Sequence, residues 1–314
     1  MRTMTWLLGL TVLALCAGCQ DYYADRLLTQ DTATGKLREK FVRTGKELCS
    51  AREIDACATI AGADRTPIDV WVVRGKAADG AHKGTAVILH GMNETKADFP
   101  YFGAAKPLAR LGYDVVLIDL RAHGRSGGKY ITYGAKEKRD VQAVMDALVQ
   151  DKQAAPPFYV FGANLGGAVA IQYAAIDPRV KGVVALSPYR DFAGIAAWQL
   201  HFLNPVMQPP DVLREIAATA KLGEFDPADA STLEAARKLT CPLLLVHGLL
   251  DLATPLEHAE AILKAASGPK ELRVLTPGPE EAALALVLED WIAKRIDEVA
   301  TGKIPSANAA TRPQ

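Results

Sequence analysis

From Pro67 onward the chain alternates short, nearly continuous apolar runs with longer segments whose apolar residues recur every three or four positions. Ile68–Val73, Thr85–His90, Val115–Asp119, Phe158–Phe161, Val180–Leu186, Leu243–His247 and Leu272–Leu275 are the short runs. Runs with no polar alternation are the pattern of strands covered on both faces, as in a parallel sheet. Between them, Phe102–Leu111, Ala135–Val149, Leu165–Ala175, Leu256–Ala266 and Glu280–Ile296 carry helical spacing. In the last, Leu284, Val287, Leu288, Trp291, Ile292 and Ile296 form one stripe. Strand and helix in alternation predict an α/β fold with a mostly parallel central sheet flanked by helices. Tyr189 to Leu239 breaks the rhythm with helical stretches and Pro205, Pro209 and Pro210. It reads as a small lid over the carboxyl ends of the strands, where ligands bind in such folds.

The N-terminus has a different pattern. Arg2 precedes an apolar run from Trp6 to Ala17, too short to span a bilayer as a helix, which needs about 20 residues. It suits the core of a secretory signal peptide. The expected organisation is a signal at residues 1–18, a polar tether or accessory segment at 19–66, with one weak helical pattern near Leu37 to Leu48, the main domain at 67–298 with its lid at about 189–239, and a disordered tail at 299–314. Export implies an oxidising compartment. There a bridge between Cys49 and Cys57 is expected, with two buried thiols as the alternative. Cys241 opens an apolar run and reads as a core residue.

Composition narrows the function classes. Lys+Arg and Asp+Glu are 36 each, hydrophobic residues are 49% and charged residues 23%. These are globular values, and the neutral balance argues against a broad nucleic-acid surface. The six histidines are scattered, with no His-x-x-x-His pair, so neither a metal nor another cofactor is expected.

Four ordered motifs resemble the α/β-hydrolase family, in its lipase and serine-aminopeptidase-like branch, over about residues 67–298. His90-Gly91-Met92-Asn93 stands where that family has its oxyanion loop. Asp119 to Ser126 (DLRAHGRS) matches its Asp-x-Arg-Gly-His-Gly-x-Ser loop, with Ala122 in place of a glycine. Gly162-Ala163-Asn164-Leu165-Gly166 matches the nucleophile elbow, and Pro242 to Asp251 the strand and loop that carry the acid. Leu15-Cys16-Ala17-Gly18-Cys19 resembles the lipobox of bacterial lipoproteins, with Cys16 where leucine is usual. That likeness implies lipidation of Cys19 and a membrane-anchored envelope protein, and Gln20 after it favours the outer membrane.

The resemblance implies an elbow serine, and the chain has Asn164, whose carboxamide has no proton that a base can remove to make a nucleophile. It implies a histidine after the last strand, and the chain reads Thr276-Pro277-Gly278-Pro279-Glu280-Glu281, with no histidine beyond His258. Of the triad only Asp251 remains, and an ordinary loop carboxylate is its other reading. His90, His123 and His247 read as structural, and His258 as exposed on a helix. Three readings stay open. The first is a pseudo-hydrolase whose Met92 and Leu165 N–H groups, with Asn164, hold a small acyl or carboxylate ligand. The second is an ester or peptide hydrolase with an unorthodox site, for instance after deamidation of Asn164. The third is an envelope interaction protein without a small-molecule ligand.

Overall fold

A computed structural model describes residues 23–29, 49–50, 54–276, 279–304 and 309–311, with backbone alone for 279–288 and 309–311. The signal segment, Cys19, the weak helical pattern at 37–48 and the Pro277-Gly278 pair lie outside the described residues.

The apolar runs form strands β1 (Ala56–Ala61), β2 (Pro67–Val73), β3 (Gly84–Leu89), β4 (Tyr113–Ile118), β5 (Phe158–Ala163), β6 (Val180–Leu186), β7 (Leu243–Gly248), β8 (Lys270–Leu275) and β9 (Ala309–Thr311). They make one sheet in the order β1-β2-β4-β3-β5-β6-β7-β8-β9. The pairs β1–β2 and β2–β4 are antiparallel and all the others parallel. Every residue of β3 and β4 is buried, the apolar majority in the core and Asp114 paired with Arg74, His82 and the Gly75 N–H.

The helices are α1 (residues 23–28), α2 (Ala105–Arg110), α3 (Glu137–Gln150), α4 (Leu165–Ala174), α5 (Phe192–Leu203), α6 (Pro209–Leu222), α7 (Thr232–Lys238), α8 (Glu257–Ala265) and α9 (Pro279–Ala300). Two cores result, one on each face of the sheet. Val144, Val169 and Ile262 contribute to one, and Leu108, Ile292 and Ile296 to the other. No helix among the described residues is long and apolar enough to cross a membrane.

The structure departs from the sequence-based division at both ends. Part of the expected tether is built into the domain. Leu27 and Leu28 of α1 are buried, and the Tyr133 hydroxyl donates to the Leu27 carbonyl at 2.5 Å. Strand β1 covers the edge of β2, and Cys49 is bridged to Cys57 on it with the two Cα atoms 6.4 Å apart. At the other end α9 runs on to Ala300, and Ala309–Thr311, expected in a disordered tail, pairs with β8. A free strand edge presents unpaired N–H and C=O groups, so even a short segment gains by covering it.

The segment expected as a lid is pinned at its base by the bridge between Asp191 and Ser231. All three of its helices contribute to the core, with Phe192 and Leu200 of α5, Ile216 of α6 and Ala235 and Ala236 of α7 buried.

Candidate functional site

Strand β5 ends at Ala163 and α4 begins at Leu165, leaving a single residue to turn the chain. Asn164 makes that turn at φ 48° and ψ −109°, a backbone conformation that few L-residues adopt. Gly162 and Gly166 let the two arms of the elbow approach. A Cβ on Gly162 would collide with the carbonyl of Gly166, and one on Gly166 with the carbonyls of Leu89 and His90. The glycine spacing is therefore a steric requirement of the turn, and it holds without a serine at the apex.

Both ends of the Asn164 carboxamide are engaged. Its Oδ1 accepts the Leu165 N–H at 2.9 Å, and its Nδ2 donates to Thr254 Oγ1 at 3.0 Å. The N–H of the residue after the nucleophile is an oxyanion-hole donor in this type of elbow. Here the residue standing in the nucleophile's place has taken that donor for itself. Asn164 also caps α4, so Asn164→Ala should cost about 1–2 kcal/mol in urea denaturation. Asn164→Gly should cost only a few tenths, since glycine is a tolerated cap and relieves the positive φ.

Asp251 is tied into its own loop. Its Oδ1 accepts the N–H groups of Ala253 and Thr254, each at 2.9 Å, and Oδ2 lies 3.8 Å from His247 Nε2. His247 Nε2 donates to the Thr254 carbonyl at 2.6 Å. The acid's position and the nucleophile's position are thus joined through Thr254, a buried residue that sequence reasoning did not single out. Asp251 fixes the turn, the turn presents the threonine hydroxyl, and the hydroxyl holds Asn164. Glu280 and Glu281 lie in the first turn of α9, and their side chains are outside the described residues.

Met92, in the loop after β3, is partly buried against the core, and Gln199 Nε2 of α5 lies 4.0 Å from its sulfur. Trp198 Nε1 on the same helix donates to the Leu252 carbonyl at 2.9 Å. Helix α5 therefore spans from the Met92 loop to the Asp251 loop. A cavity of about 360 Å³ opens beside that second loop, lined by Trp198, Leu250, Asp251, Leu252 and Leu256 among others; Asn164 is not among its walls.

The remaining histidines and serines serve the scaffold. His90 Nε2 accepts the Leu120 N–H at 3.0 Å, so its proton is on Nδ1, donated to the Gly91 carbonyl at 2.7 Å. Burial, reinforced by His123, holds His90 neutral, with its pKa lowered to about 3. His123 donates from Nδ1 to the Arg121 carbonyl at 2.8 Å. His258, expected to be exposed, is 7% exposed, and its Nδ1 accepts the Arg190 N–H at 3.1 Å. It shares the inward face of α8 with Ala259 and Ile262, and burial lowers its pKa to about 4. Ser126 accepts the Asp69 N–H and donates to the Asp119 carbonyl. Ser187 is a turn residue with φ 48°.

The Asp119–Ser126 loop is held by charge that the sequence did not reveal. Lys96, 2% exposed, places Nζ 2.5 Å from both Asp119 Oδ2 and Asp69 Oδ1, and 4.8 Å from the centre of the Trp71 ring. Burial pushes the Asp119 carboxyl up, but Lys96, His90 and hydrogen bonds from Lys96 and Arg125 outweigh it and hold it below its ordinary range. Arg121 grips Asp140 with two bonds of 2.7 and 2.8 Å. Ala122 adopts φ 59°, the conformation for which a glycine is suited.

Comparison with known proteins agrees with this geometry. A family model described as serine aminopeptidase, S33, matches residues 80–218. Two Bacillus subtilis proteins are similar in sequence. YqkD is 26% identical over 175 residues, covering 54% of this chain and 56% of that protein, and the peptidase YuxL is 27% identical over 210 residues, covering 63% and 31%. The chain thus spans about half of the first and a third of the second. Among solved structures, the Pyrococcus furiosus esterase Pf2001 aligns with a TM-score of 0.61 at 23% identity, over 81% of this chain and 95% of the esterase. Est1E from Butyrivibrio proteoclasticus, solved with ferulic acid, aligns at 0.57 and 18% identity, over 76% and 100%. Sheet order, elbow and these likenesses together establish that the chain has the α/β-hydrolase fold, with esterase- and peptidase-like relatives.

Proposed function

We propose that this chain is an exported, lipid-anchored protein of the α/β-hydrolase fold that has lost serine hydrolysis and acts by binding. The observation that supports it most is the state of Asn164. The residue at the nucleophile's position carries no ionisable proton, and its carboxamide occupies the Leu165 N–H that would stabilise an oxyanion. Its other partner is a threonine hydroxyl rather than a histidine. A general base and a preformed hole supply most of the rate in this chemistry, and both are compromised at one residue. Likeness to esterases and peptidases bears on the scaffold, since function resides in the site and not in the fold.

A small acyl or carboxylate ligand would reach the Leu165 N–H only by turning the Asn164 carboxamide aside. That exchanges one hydrogen bond for another, so the net gain is small. The geometry therefore favours interaction through the lid-covered face over capture of a small ligand at Met92, Asn164 and Leu165. In this reading Cys19 is the acceptor of the lipid and Gln20 directs the protein to the outer membrane.

The test is turnover of short acyl esters by the folded chain against a heat-denatured control. The expected result is no difference. Turnover above the control that is lost in Asn164→Ala would establish an unorthodox hydrolase instead.

A further inference from the structure

We propose that the tip of the lid is a membrane-docking surface that seats the domain on the phospholipid bilayer beside its own anchor. The proposal rests on lipidation of Cys19 and goes beyond it by fixing how the domain faces the membrane.

Two independent features meet at one edge of the molecule. The first is an exposed apolar stripe. Trp198 and Phe202 lie four residues apart on α5 and so share a face. Leu203 ends the helix, Val206 follows in the next turn, and Leu252 is joined to Trp198 through the indole hydrogen bond. Phe202 is 77%, Val206 78% and Leu252 76% exposed. Apolar surface of this extent on a folded domain marks a binding face. A half-exposed tryptophan whose N–H is satisfied suits the boundary between water and lipid.

The second feature is where the chain enters the fold. Helix α1 is fixed to the domain by buried Leu27 and Leu28 and by the Ile131 N–H bonded to the Leu28 carbonyl at 3.1 Å. Its first residue, Tyr23, accepts a hydrogen bond from Asn204 Nδ2 at 3.3 Å. Asn204 lies between Leu203 and Val206. Cys19 is four residues before Tyr23, and four residues reach at most about 14 Å. A lipid on Cys19 therefore holds the bilayer surface close to the apolar tip, within reach of Phe202, Leu203 and Val206. Stable attachment by lipidation commonly needs a second signal. From Cys19 onward the chain carries 35 Lys and Arg against 36 Asp and Glu, so the second signal is apolar insertion rather than an excess of basic charge. Docked in this way, the carboxyl ends of the strands face the membrane and the amino ends face away.

The experiment uses the full chain in vesicles of phosphatidylethanolamine and phosphatidylglycerol, with an environment-sensitive fluorophore on Val206→Cys or, as the distal control, on Lys181→Cys. Cys49 and Cys57 are bridged and Cys241 is buried, and an acylated Cys19 at the processed N-terminus has no free thiol, so labelling of the lipidated chain is selective. Doxyl-labelled lipid should quench the probe at 206 severalfold more than the probe at 181, and the mass of the N-terminal peptide should carry acyl groups on Cys19. An acylated chain with equal quenching at both positions would overturn the docking surface and leave the anchor standing. An acylated chain that self-associates through this face, with the probe at 206 shielded from lipid, would likewise overturn it in favour of a second copy as partner. An unmodified Cys19 would overturn the anchor and the docking proposal together.

Discussion

Lys96→Met should destabilise the fold by about 3–5 kcal/mol, the cost of removing one partner from a buried ion pair. Methionine keeps most of the stem's volume, so packing against Trp71 survives and the charge is what disappears. The Asp119 carboxylate, 2% exposed, would then lie buried near Asp69 without its main counter-ion. Arg125, at 3.5 Å from Asp69 and partly exposed, offsets only part of this. Urea denaturation at neutral pH measures the loss, and the gap to wild type should narrow in acid, where Asp119 can take a proton. A loss below about 1 kcal/mol would mean that the three charges do not depend on one another.

Acid should act on the same region through a different group. His90 has a pKa of about 3 in the fold, lowered by burial and by His123, and His258 about 4, lowered by burial and by Arg190. Both lie below the ordinary histidine value of about 6.5. Between those values the unfolded chain binds protons that the folded chain refuses. The stabilisation is therefore complete above about pH 6.5 and falls as pH drops toward the folded pKa. By pH 4.5 each histidine has lost about 2–3 kcal/mol, and the two together about 5 kcal/mol. His123 and His247, also lowered by burial, act in the same direction. His90→Gln provides an acceptor for the Leu120 N–H without a titration. Urea midpoints from pH 6.5 to 4.5 should show the variant losing about 2–3 kcal/mol less than wild type. Equal losses would show that His90 is solvated or already charged in the fold.

Much of the architecture was legible because burial on both faces leaves a plain mark. The strands β3, β4, β6 and β7 each carry an apolar run of at least four residues, and each was placed within two residues of its bounds. Strand β1 was missed because Ala56–Ala61 is a mostly exposed edge strand with neither a continuous run nor an alternation. The three-residue β9 and the short α1 are too brief to show a period, and they are held by the sheet edge and by Tyr133. At the site, glycine spacing and chain order located Asn164 and Asp251. Neither could reveal Thr254, whose role depends on a turn closed by Asp251. Nor could they reveal Lys96, which sits in a polar stretch and is buried only because two carboxylates from β2 and the end of β4 converge on it. His258 was misplaced because one polar residue was read alone, whereas its neighbours Ala259 and Ile262 mark the inward face of α8.

The central claim is that the domain carries no activated serine, and the intact mass of the folded chain after exposure to a fluorophosphonate tests it most directly. The expected result is an unchanged mass at times when a serine hydrolase is fully modified. A stoichiometric adduct that disappears when Ser126 or Ser187 is replaced by alanine would contradict it.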